Sequence, residues 1–151
     1  MEKITLISPI KIKGYKVIIV DFRHKTITDL LNELTEIKSK ILAGYSIGGT
    51  LALILAQRLD LDKLILYSPS PFFKERINTM PKYILNKLGK KRLNDIKNYS
   101  VKDFNVEVKT EIHIGGNEVK DMMLFAKYLN KKLKNSSLIV KEGCGHSDLL
   151  I

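Results

Sequence analysis

Apolar positions along the chain alternate between two periods. Residues 3–8, Lys-Ile-Thr-Leu-Ile-Ser, read as a first strand. Residues 15–21 are β-branched and nearly continuously apolar, as a strand buried on both faces should be. Residues 26–38 change to a helical spacing, with Leu30, Leu31, Leu34 and Ile37 on one stripe and Thr26 or Thr28 placed to cap the start. A buried strand over 40–45, a helix over 50–59 and a strand over 62–67 follow. The last of these runs into Ser68-Pro69-Ser70-Pro71, which suits neither a strand nor a helix interior. Residues 72–98 are helical in pieces, interrupted by Pro81 and Gly89. A strand over 106–114, an amphipathic helix over 120–134 and a short strand over 137–140 complete the series. Strands alternating with helices predict an α/β domain over 1–151. Its sheet should be mostly parallel, with about six strands and helices on both faces. The segment 72–98 falls after the C-terminal end of a strand, where sites of such sheets lie, and is placed to form a small helical cap.

One connection does not fit the regular pattern. Only about six residues, Pro9 to Gly14, separate the first two strands. A parallel crossover with a helix needs a dozen or more. The first strand is therefore expected either to pair antiparallel with its neighbour or to lie at an edge.

At the junction of strand 40–45 and the helix after it stands Gly44-Tyr45-Ser46-Ile47-Gly48, a G-x-S-x-G pattern. A serine on so sharp a turn forces its neighbours together, and glycine on both sides removes the Cβ atoms that would collide. The hydroxyl then stands clear of the sheet at the positive end of a helix, where free N–H groups can stabilise an oxyanion. A glycine-rich turn of this kind can also cradle a phosphate.

A nucleophilic serine needs a base, and the base an orienting acid. His113 lies inside a strand. His24 follows the second strand. His146 follows the last strand on the loop Gly143-Cys144-Gly145-His146, at the sheet end where a site would form. The acid is Glu118, directly after strand 106–114; Asp121 is better placed to begin the next helix, where its charge favours the dipole. Ser68 and Ser70 read as turn residues, and Cys144 as a small residue in a tight loop.

The order Ser46, Glu118, His146 resembles the nucleophile–acid–base order of the α/β-hydrolase superfamily. The resemblance covers roughly 15–151: the elbow strand and helix over 41–55, the acid loop His113 to Glu118, and the histidine loop at Gly145-His146. It implies an α/β-hydrolase-like three-layer sandwich, and hydrolysis of an ester, thioester or amide through an acyl-enzyme, with no cofactor and no metal. Serine at the elbow argues against the dehalogenase chemistry that uses aspartate there. The Ile47 N–H is the first oxyanion donor. The second would come from Ile10 or from the loop 21–24, since the His-Gly pair common in that family is absent. Tyr45, Phe72 and Phe73 are the candidate substrate-binding residues. A small-molecule acyl ester is the expected substrate. A non-enzymatic binding or regulatory module on the same fold is the competing reading.

Composition changes this picture in one respect. The chain carries a net charge of +10. Between Lys74 and Lys102, nine cations stand against Glu75 and Asp95 alone, a local net of +7. Such a region can attract nucleic acid, anionic lipid or an acidic substrate. Few aromatics interleave with it, so a solvated face is the expectation and nucleic acid is disfavoured. The single cysteine excludes an internal disulfide and suits a reducing cytoplasm. No apolar run is long enough for a membrane span, residues 1–5 lack the form of a secretory signal, and a monomer or homodimer is expected.

Overall fold

The computed structural model describes residues 3–7, 16–19, 25–37 and 39–149. Among these, six strands form one sheet: β1 (Lys3–Ile7), β2 (Lys16–Ile19), β3 (Ile41–Tyr45), β4 (Lys63–Tyr67), β5 (Lys109–Gly115) and β6 (Ser136–Lys141), in the order β2-β1-β3-β4-β5-β6. Every pairing is parallel. The α-helices are α1 (Ile27–Glu33), α2 (Ile47–Leu55), α3 (Lys82–Ile96) and α4 (Lys120–Lys132).

The first strand departs from its expectation. It is neither antiparallel nor at an edge: β1 lies between β2 and β3, with Lys3 opposite Lys16 and Leu6 opposite Ile19. The reason is strand length. Four paired residues demand a return of only about 13 Å. Eight linking residues can span about 26–29 Å. The rule of a dozen residues applies when a helix fills the crossover. The link itself, residues 8–15, lies outside the described residues.

Alternation along the strands sends side chains into two buried clusters. Leu42, Leu64, Leu66, Ile112 and Ile114 face the apolar residues of all four helices. Ile41, Ala43, Ile65 and Tyr67 face the other way, with Tyr45 and Leu149 packed on them. Among the described residues, the expected helical layer is therefore met on one face of the sheet. Helix α2 is buried from Gly48 to Leu55, as a helix apolar all round must be. Helix α1 starts at a reciprocal capping box between Thr26 and Asp29 and ends at Leu34, shorter than its periodicity implied. Leu34 and Ile37 still pack on the core without being helical.

Residues 72–98 form a 3₁₀ turn (Ile77–Thr79) and α3, which Gly89 splits by leaving helical geometry at φ 80°. Thr28 ties this segment to α1 by bonding Asp95 and Tyr99. Among the described residues, no helix is long and apolar enough to cross a membrane.

Candidate active site

The turn between β3 and α2 is built by close backbone approach. A Cβ on Gly44 would lie 2.0 Å from the Gly48 carbonyl oxygen, and a Cβ on Gly48 would lie 1.7 Å from that of Ile7. No side chain fits at either position. Ser46, between them, holds φ at 57°, a region that costs a non-glycine residue about 1–3 kcal/mol. Its N–H donates to the Tyr67 carbonyl at 2.9 Å, and its own carbonyl accepts from Gly49 and Ser70. The strain is thus held by β4, the turn after it and the first turn of α2. Ile47 opens α2, so its N–H has no intrahelical acceptor.

The acid and histidine loops are zipped together behind this turn. Asn117 N–H donates to the Cys144 carbonyl at 2.9 Å, and Gly116 N–H to that of Lys141 at 2.9 Å. Gly115 lies against the Cys144 carbonyl, where a Cβ would come within 2.2 Å. The zipper presents Glu118 to His146, with Oε2 2.6 Å from Nδ1, while Oε1 accepts from the Val119 N–H at 3.0 Å. The Glu118 side chain is only 2% exposed, against 37% for His146. His146 Nε2 stands 3.0 Å from Ser46 Oγ.

The chemistry of these groups sets the direction of each bond. A carboxylate only accepts, so Nδ1–H donates to Glu118 and Nε2 is left bare to accept from the Ser46 hydroxyl. A further hydroxyl then completes the line: Ser70 Oγ lies 3.1 Å from Ser46 Oγ, and with Ser46 already donating to His146, Ser70 is its donor. Ser70 is 3% exposed, and the Thr50 hydroxyl donates to its carbonyl.

Of the three residues expected to contact substrate, one lines the site. Phe72 borders a cavity of about 680 Å³ that also contains Ser46, Ile47, Ser70, Glu118 and His146. Phe73 does not. It is buried among Phe104 and Phe125. Tyr45 does not line the cavity either. Its ring lies 5.1 Å from that of His146 and its hydroxyl donates to the His146 carbonyl at 2.9 Å, so it holds the histidine loop from the side. Burial, then the Glu118 and Asp148 charges, push the Tyr45 pKa up and keep that donor protonated. Ile10 and loop 21–24, the two sources considered for a second oxyanion donor, lie outside the described residues, and His24 with them. His113 is a strand residue stacked on Tyr67 at 4.9 Å. Asp121 sits in the first turn of α4, as expected. Ser70 is the residue that sequence reasoning missed. Its signal was its place just past the end of the strand beside β3.

No family model and no curated protein sequence matches the chain. Solved structures do. Est1E from Butyrivibrio proteoclasticus, determined with ferulic acid bound, superposes at a TM-score of 0.72 with 16% identity, over 99% of this chain and 84% of that one. A lipase-esterase related protein from Clostridium acetobutylicum gives 0.66 and 18%, over 99% and 89%. MenH from S. aureus gives 0.60 and 17%, over 97% and 86%. This is the α/β-hydrolase fold. In this chain β3 turns into α2 at Ser46, β5 leads to the loop that carries Glu118, and β6 leads to the loop that carries His146. Residues 72–98 are the insertion between the elbow side and the acid strand.

Proposed function

We propose that the chain is a serine hydrolase that cleaves a carboxylic ester or thioester through an acyl-enzyme on Ser46. The observation that carries the reading is the continuous hydrogen-bonded line from Glu118 through His146 to Ser46, ending in an open cavity. In the first half-reaction Ser46 Oγ attacks the scissile carbonyl while its proton passes to His146 Nε2. Glu118 holds the ring in the needed tautomer and stabilises the imidazolium, and the Ile47 N–H faces the developing oxyanion. Collapse of the tetrahedral intermediate returns that proton to the departing alkoxide or thiolate. Water then repeats the sequence on the acyl-enzyme and frees the acid. The elbow, the acid loop and the histidine loop each support this assignment. The lipase-esterase description of the neighbour from Clostridium acetobutylicum agrees with it at the level of fold.

Labelling with a fluorophosphonate probe, followed by peptide mapping, tests the reading. Wild type is expected to be modified at Ser46, and neither Ser46→Ala nor His146→Ala is. A folded wild-type protein that stays unlabelled refutes it and favours a binding module on the same fold.

A further inference from the structure

Much of the chain's positive charge lies in one stretch, and part of that stretch borders the cavity. The stretch from Lys74 to Lys102 holds a net +7 of a total +10, and its part from Arg76 to Lys87 borders the site. Two of its cations, Arg76 and Lys87, line the same cavity as Ser46. Two carboxylates line it too. Glu118 is withdrawn, bonded to His146 and the Val119 N–H. Asp121, on the opposite rim, lies 3.8 Å from Arg76 with a side chain 75% exposed. A single long contact between exposed groups contributes about 0–1 kcal/mol, so a ligand anion can replace it. The lining also carries apolar side chains, among them Phe72, Met80, Ile84 and Met122.

The cavity thus offers three kinds of lining: hydroxyls beside an imidazole, apolar side chains, and two cations carried on the insertion. A short neutral ester would use only the first two. We infer that the substrate is an ester or thioester whose far end carries an anionic group, separated from the scissile carbonyl by an apolar segment. The proposal rests on the serine-hydrolase reading and narrows it to a substrate class. Arg76 presents a planar fork to the anion and Lys87 a point charge. The remaining lysines of the insertion raise the local concentration of anionic ligands by their field.

The test compares esters matched in size and differing in charge. One pair is 4-nitrophenyl hexanoate and 4-nitrophenyl hydrogen adipate, with the anion on the acyl side. The other is 4-carbamoylphenyl butyrate and 4-carboxyphenyl butyrate, with the anion on the leaving group. In at least one pair the anionic member is expected to have a kcat/KM about tenfold higher at low salt, the gap narrowing with added NaCl. Lys87→Glu is expected to abolish or reverse the preference. Lys97→Glu changes net charge equally from a position outside the cavity and should retain most of it. Neutral members favoured in both pairs overturn the inference, as does equal loss in Lys87→Glu and Lys97→Glu, which would mark a bulk-charge effect. Fluorophosphonate labelling of the same preparation separates the two levels. Labelling at Ser46 without an anionic preference sinks this inference alone. No labelling and no turnover of any ester sinks the hydrolase reading with it.

Discussion

Glu118→Gln changes the donor pattern of the relay and leaves its shape almost untouched. The new amide faces two donors, His146 Nδ1–H at the 2.6 Å contact and the Val119 N–H at the 3.0 Å contact, and has one acceptor to offer. With its nitrogen toward His146, the ring must adopt the tautomer protonated on Nε2, and Ser46 loses its base. With its oxygen toward His146, two donors meet at Val119. Val119 lies at the surface, so water relieves part of that conflict and the cost stays near about 1 kcal/mol, the low end for an unmet donor. In both orientations the imidazolium formed during attack loses its charged partner, worth about 1.5–3 kcal/mol. Together these give about 2.5–4 kcal/mol, or about 10²–10³-fold in kcat/KM at 1.36 kcal/mol per tenfold. Steady-state hydrolysis of a 4-nitrophenyl ester, with thermal melting by circular dichroism as the control for folding, measures it. A variant with a native melting curve and more than a third of wild-type kcat/KM would refute the role of Glu118 as orienter.

Three further outcomes follow from other contacts. Gly44→Ala places a Cβ 2.0 Å from a backbone oxygen that has no room to retreat, so a loss of about 3 kcal/mol or more is expected, seen as insoluble protein or a collapsed melting temperature. Ser70→Ala removes the hydroxyl that donates to Ser46, and should lower kcat about threefold to tenfold with KM little changed. Burial holds the His113 pKa below its ordinary value, with Glu111 opposing in part. As pH falls below about 6.5 the unfolded chain therefore takes up this proton before the folded one, and stability present above that pH is lost. The melting temperature should fall from pH 7 to pH 5 in wild type, and less steeply in His113→Gln. Parallel curves would show that His113 does not contribute.

The sheet and the three residues of the relay were legible because their signals are local. Strands such as Leu64-Ile65-Leu66 are short apolar runs, and Ser46, Glu118 and His146 all lie in the turns and loops just past the ends of β3, β5 and β6. Other features depend on partners distant in sequence. The pairing of β1 turned on strand length, which a rule for crossover length does not include. Helix α2 begins at Ile47 rather than Thr50, because Gly48 and Gly49 carry a penalty of about 1 kcal/mol each that the tight packing beneath them overrides. Phe72 and Phe73 look alike in sequence and both are buried, yet only Phe72 also borders the cavity. Tyr45 finds its acceptor 101 residues further on, and Ser70 finds Ser46 24 residues back. Neither separation leaves a periodic trace.

The relay joins residues 100 positions apart, and β4, β5 and β6 add to the sheet one after another at a single edge. Ser46 and its elbow are translated early; the histidine arrives only with the strand that closes the edge. A nascent or refolding chain can therefore collapse, bury α2 and still be chemically silent until β6 docks. Such non-local parallel pairing is also the slow part of folding. On the proposed reaction, recovery of ester cleavage after dilution from denaturant should trail the recovery of helical signal, and so time the final strand addition separately from the steps before it.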